Sequence, residues 1–230
     1  MTSTYTPSVI IDNGVFNAEF LGSNESVDHA MHMLATTKEP LNTIQFIMSY
    51  LDGSVGDKFL AIAEMKNSPI EFVTHVVFRS SVIVDTGENG VDDNFASLCK
   101  GLSLLRHITH LTMEQCEIDP HRVPALIDLF QYNLPLISTL DLSGNGIAYA
   151  SDDELKALGQ ALVSRPGHVG VKSLTLKYLG FTAETASAML SVHLLVQLRS
   201  LNLVGNSDLD ATKLHEIQPA FFTPSLKLLM

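Results

Sequence analysis

Nine histidines, two cysteines and a short run of carboxylates are the side chains of this sequence that could do chemistry. His29 and His32 stand at helical spacing beside Asp28, and His107 and His110 straddle the start of a strand. A zinc site asks for a third ligand or the His-Glu-x-x-His pattern, and neither pair offers one at a recognisable distance. Solvated histidines are the reading, with no metal and no cofactor expected. The chain has no phosphate-binding glycine loop, no Gly-x-Ser-x-Gly elbow and no Cys–His arrangement that would activate a nucleophile. Asp152-Asp153-Glu154 follows Ser151 and reads as the start of a helix. No catalytic residue is expected, and the chain is not read as an enzyme.

The balance of charge narrows the partners. Fourteen Lys and Arg against twenty-five Asp and Glu leave a net charge of −11. Such a surface repels phosphate backbones, which argues against nucleic acid and anionic membranes. Apolar residues make up 46% and charged ones 17%, the composition of a globular chain with a real core. No apolar run approaches the length of a membrane helix. The first cation is Lys38, so a Sec-type signal peptide is not expected either. Cys99 and Cys116 cannot make a disulfide framework and read as free thiols, which suits a cytoplasmic origin.

The elements that would position any site repeat. "ISTLDLSGNGI" (137–147) follows the template apolar-x-x-apolar-x-apolar-x-x-(Asn/Cys/Ser)-x-apolar. "ITHLTMEQCEI" (108–118) fits it with Cys116 in the polar slot, and "LRSLNLVGNSD" (198–208) fits through Asn206. "VKSLTLKYLGF" (171–181) fits except for Leu179 in that slot. "VTHVVFRSSVI" (73–83) and "LNTIQFIMSYL" (41–51) place Ser81 and Ser49 there, and weaker copies open and close the chain. The second apolar slot holds Ala18, Ile44, Val76, Leu111, Leu140, Leu174, Leu201 and Leu226, separated by 26, 32, 35, 29, 34, 27 and 25 residues. A period of about thirty residues is that of stacked repeats.

Helical segments lie between the copies, at 26–37, 56–66, 91–105, 120–133, 151–165 and 182–195. In the segment 151–165, Ser151 and Glu154 make a capping box and Leu155, Leu158 and Leu162 share one face. Each unit is then a strand, a turn, a helix and a return loop. Leu140 and Leu142, two apart in a strand, point inward together, while Thr139, Asp141 and Ser143 point outward. The turn after the strand carries backbone groups into the stack, where a small polar side chain can satisfy them. No unit can bury its own apolar face, so the units must stack.

These motifs resemble the leucine-rich repeat, and in particular its ribonuclease-inhibitor-like class, which pairs the L-x-x-L-x-L-x-x-(N/C)-x-L strand with a full helix per repeat. The resemblance implies an α/β solenoid, a curved horseshoe with an inner parallel sheet, outer helices and about eight rungs. It covers residues 41–209 well. Residues 1–40 are expected as a degenerate N-terminal cap and 210–230 as a truncated last repeat of a single domain, 1–230. Leu179 departs from the pattern, and the longer spacings imply insertions near 84–92 and 163–170.

The resemblance further implies a protein-binding module acting through its concave face. On the outward strand positions the candidate partner-binding residues are His75, Arg79, His110, Glu114, Asp141, Lys177 and Tyr178. Neighbouring rungs would set His75 beside His110 and Arg79 beside Glu114. By analogy, a bacterial effector exported into a host cell without a Sec signal is one form of this reading. The alternative by analogy is a GTPase-activating or GTPase-regulating protein. The last strand, 226–230, is expected to offer an open edge for self-association.

Overall fold

The computed structural model describes residues 6–51, 55–84, 93–222 and 225–230. Contacts divide the chain into two compact units, 1–108 and 109–230. Of the insertion expected near 84–92, residues 85–92 lie outside the described residues.

The first unit begins with a hairpin of β1 (Ser8–Asp12) and β2 (Val15–Glu19), paired antiparallel around Asn13 and Gly14. Both turn residues have positive φ, 51° and 79°, as the two-residue hairpin turn that matches strand twist requires. β2 then pairs parallel with β3 (Thr43–Ile47), and β3 with β5 (His75–Arg79). A short outer ladder joins β4 (Tyr50–Leu51) to β6 (Val82–Ile83). Helices α1 (Asn24–Thr36), α2 (Val55–Glu64) and α3 (Asp93–Leu104) follow the three rungs. The inner face is aromatic: Phe46 and Phe78 stack with centroids 5.4 Å apart, and Phe16 meets Phe46 at 5.7 Å. All three are fully buried.

The second unit is a run of five parallel strands, β7 (His110–Glu114), β8 (Thr139–Asp141), β9 (Ser173–Thr175), β10 (Ser200–Asn202) and β11 (Lys227–Leu229). Leu111, Leu140, Leu174, Leu201 and Leu228 occupy one register row. The first four are at most 1% exposed. Burying each such leucine stabilises the fold by about 1.5–3 kcal/mol. Helices α4 (Val123–Tyr132), α5 (Asp152–Ala161), α6 (Ala183–Met189), α7 (Val192–Gln197) and α8 (Ala211–Ile217) connect the rungs.

The strand, turn and helix unit read from the sequence is present in both units, with corrections of detail. Register places Phe16, not Ala18, beside Ile44, and Leu228, not Leu226, beside Leu201. Both slips are of two residues, which leaves the same side chains on the same face and so leaves no trace in an alternating pattern. The segment 182–195 is two helices, because the chain leaves the α region at Leu190 and restarts on Ser191, whose hydroxyl accepts from the Leu194 amide. That break lets the Met189 carbonyl press against Gly159 of α5, where a Cβ would stand 1.8 Å from it. Helix α8 lies within the stretch 210–230 expected as a truncated last repeat; its start is marked by Asp210, which accepts from the amides of Thr212 and Lys213.

Candidate functional site

The turns that follow the strands are tied to one another from rung to rung by buried side chains. Asn145 Oδ1 accepts from the amides of Cys116 (3.0 Å) and Ile118 (3.1 Å), while Nδ2 donates to the carbonyls of Met113 (2.7 Å) and Leu142 (2.8 Å). Asn206 repeats the arrangement, accepting from Leu179 (3.0 Å) and Phe181 (3.1 Å) and donating to Leu176 (2.9 Å) and Leu203 (2.6 Å). Each asparagine therefore brackets its own turn and the turn of the preceding rung. This is why Cys116 and Leu179 can stand in the polar slot of their own rungs: the next rung satisfies their backbones. In the first unit serines do a smaller version of the same work. Ser49 Oγ accepts from the Leu21 amide, and Ser81 Oγ accepts from the Ser49 amide and donates to the Phe46 carbonyl.

The residue just before this slot has positive φ in seven rungs: Phe20, Met48, Ser80, Gln115, Gly144, Tyr178 and Gly205. Only two of them are glycine. In the second unit these positions alternate long and short, so that Gln115 lies over Gly144 and the Tyr178 ring over Gly205.

These turns are the deciding observation, since they recur rung after rung on parallel strands, each rung leading into a helix. The fold is a leucine-rich repeat. Among solved structures it is similar to the crystal structure of the leucine-rich repeat-containing protein LegL7 from Legionella pneumophila, with a TM-score of 0.55 and 16% identity. The match covers 92% of this chain and 62% of that one, so the leucine-rich-repeat chain spans less than two thirds of the length of LegL7. At this identity the likeness is one of fold. No protein-family model and no curated protein matches the sequence.

On the outward face of the second unit, one row is His110, Thr139, Ser173, Ser200 and Lys227, and the next is Thr112, Asp141, Thr175, Asn202 and Leu229. Between β7 and β10 both rows are mostly small and polar and half-buried. Glu114, Ser143 and Lys177 share the next slot of three successive rungs. The middle one is short and buried, and Lys177 Nζ reaches over it to within 4.0 Å of Glu114 Oε1. With side chains 28% and 24% exposed, such a pair is worth about 0–1 kcal/mol, so its importance is positional. Asp141 is held from below: its Oδ1 accepts from the Ser143 hydroxyl (2.5 Å) and amide (2.9 Å), and the Ser143 hydroxyl accepts from the Lys177 amide (3.1 Å).

The sequence-derived candidates thus divide between the units. In the second, Glu114, Asp141 and Lys177 are brought together through Ser143, Tyr178 follows Lys177 at 63% exposure, and His110 begins the first row with Nδ1 2.8 Å from Thr109 Oγ1. In the first unit, His75 makes the same 2.8 Å contact with Thr74 and pairs with Thr43, while Arg79 pairs with Ile47 and is exposed. Two residues escaped the sequence reading. Ser143 looked like one more outward polar residue but is buried. Tyr149, 75% exposed, stands in "IAYAS" between Ala148 and Ala150, both buried, and nothing in the repeat pattern sets it apart from them.

Among the described residues, no group of three or more His, Cys, Asp or Glu is placed to hold a metal ion, and no helix is long and apolar enough to cross a membrane.

Proposed function

We propose that this chain is a protein-binding module that takes its partner on the outward face of its parallel strands, through Glu114, Asp141, Lys177, Tyr178 and His110 in the second unit and His75 and Arg79 in the first. The observation that carries this reading is the pair of outward rows beside the Glu114–Lys177 pair. Their small, half-buried polar side chains are not needed by the core, whose leucines alternate with them, and they present rows of short polar groups that a partner's chain can approach closely. Tyr178 at their margin is the kind of exposed aromatic that anchors an interface. Helices of ten or more residues in α1 to α5 favour the ribonuclease-inhibitor-like class of repeat. Action on a host protein, as an exported bacterial effector, is the narrower form of this proposal.

Affinity capture with the full chain as bait tests it. A partner held by the wild type should be lost or weakened at least tenfold by Lys177→Ala/Tyr178→Ala, and kept by Lys156→Ala on the helix side. Equal capture by all three proteins counts against the outward face. Faster GTP hydrolysis by a GTPase on addition of the chain would favour the regulatory alternative instead.

A further inference from the structure

We propose that the strand-to-helix edge of the second unit binds arginine side chains of a partner segment, with Tyr149 and Tyr178 as aromatic platforms set among carboxylates. The inference rests on the protein-binding reading above, but it concerns a different edge of the same repeats and a residue, Tyr149, that lies outside the outward rows.

Strands β7 to β10 are parallel, so their turns leave the sheet on the same side, about 4.8 Å apart from rung to rung. Tyr149 and Tyr178 come from two successive turns and are 75% and 63% exposed. Each reaches a glycine in the following turn. A Cβ at Gly180 would stand 2.9 Å from the Tyr149 hydroxyl oxygen, and one at Gly205 would stand 2.2 Å from two ring carbons of Tyr178. Any side chain at either glycine would displace the tyrosine. Both glycines also have positive φ, 79° and 81°, so two independent demands keep these positions free of side chains. The result is a pair of aromatic side chains set against glycine backbone and open to solvent, of the residue type that anchors interfaces.

The charge around them is one-sided. Glu117, Asp119, Asp152 and Asp208 are exposed on these turns and the helix starts that follow. The cations of the same stretches are paired or bonded within the chain: Lys177 with Glu114, Lys156 with Asp153, Lys213 with Glu184, and Arg122 buried with a bond to the Glu117 carbonyl. A partner that presents positive charge in planar form meets both features at once. A guanidinium can stack on a tyrosine face while its N–H fork donates to a carboxylate, whereas the ammonium of lysine gains less from the ring and cannot fork. Phosphate-bearing partners are repelled by the same carboxylates.

The test uses labelled oligo-arginine and oligo-lysine peptides of equal length, titrated with the full chain at physiological salt and read by fluorescence anisotropy. Arginine should bind about fivefold or more tightly than lysine. The preference should fall to parity in Tyr149→Ala/Tyr178→Ala and persist in Tyr149→Phe/Tyr178→Phe, since phenylalanine keeps the ring. Equal affinity for the two peptides on the wild type, or a preference untouched by the double alanine variant, overturns the proposal. Tyr149→Ala alone separates it from the outward-face reading: reduced arginine preference with partner capture intact supports this edge. Capture lost by Lys177→Ala/Tyr178→Ala with no arginine preference in the wild type leaves only the outward face standing.

Discussion

Asn206 supplies the hydrogen bonds that Leu179 cannot. Its Oδ1 accepts from the Leu179 amide at 3.0 Å and from the Phe181 amide at 3.1 Å, and its Nδ2 donates to the Leu176 carbonyl at 2.9 Å. Asn145 stands in the same relation to Cys116. One buried amide side chain thus serves two rungs, and the leucine-rich repeat here needs an asparagine only in alternate turns of the second unit.

Asn206→Ala should therefore cost at least about 3 kcal/mol, because it strands buried amides and carbonyls in two turns rather than one. Urea unfolding of wild type and variant measures this. A loss below about 1 kcal/mol would mean that the two turns satisfy themselves without it.

Gly159→Ala should destabilise although it replaces glycine inside a helix, where alanine is ordinarily better by about 0.5–1 kcal/mol. The added Cβ would stand 1.8 Å from the Met189 carbonyl oxygen, and Met189 is buried, so α5 and α6 must move apart. The expected cost is about 2–3 kcal/mol, seen as a lower Tm. A raised Tm would show that the two helices are not in contact there.

The acid limb of stability should depend on Glu184. The hydrogen bond from Lys213 is the main reason its carboxyl is lowered from 4.5 to about 2, with its own backbone amide and Thr182 adding to it. A carboxylate depressed in the folded state stabilises above its unfolded value and loses that contribution as pH falls from about 4.5 toward 2. Glu184→Gln should flatten the fall in urea midpoint between about pH 5 and pH 3, and strong salt should shrink the difference, because both groups are exposed. Parallel pH profiles for wild type and variant would remove the ion pair as a cause.

How much of this was legible in the sequence follows from what each signal encodes. The leucine row from Leu111 to Leu201 and the Ser151–Glu154 capping box are local patterns, and both are in the structure as read. The slot at Leu179 looked defective because a template compares each rung with itself, whereas the asparagine reaches back one rung. The slips at Ala18 and Leu226 arose because a two-residue shift preserves facing. The first could have been caught from Asn13-Gly14, the strongest short hairpin signal, which fixes Asp12 opposite Val15. Among the candidate site residues, the pairing of Lys177 with Glu114 was hidden by the reading of charges rung by rung; it spans two strands over the short side chain of Ser143. Tyr149 was hidden because it lies in a turn, where periodicity says nothing.

Everything assigned to the outward face requires neighbouring strands in the observed register, with Ser173 opposite Ser200. Mild oxidation of a Ser173→Cys/Ser200→Cys variant, followed by mass spectrometry of its peptides, tests this most directly. A disulfide between the introduced cysteines, with Ser173→Cys/Asn202→Cys, the outward pair two positions out of register, failing to form one under the same conditions, is the expected result. Cross-linking of the offset pair instead, or of neither pair in a folded protein, would contradict the ladder of rungs and the binding face built on it.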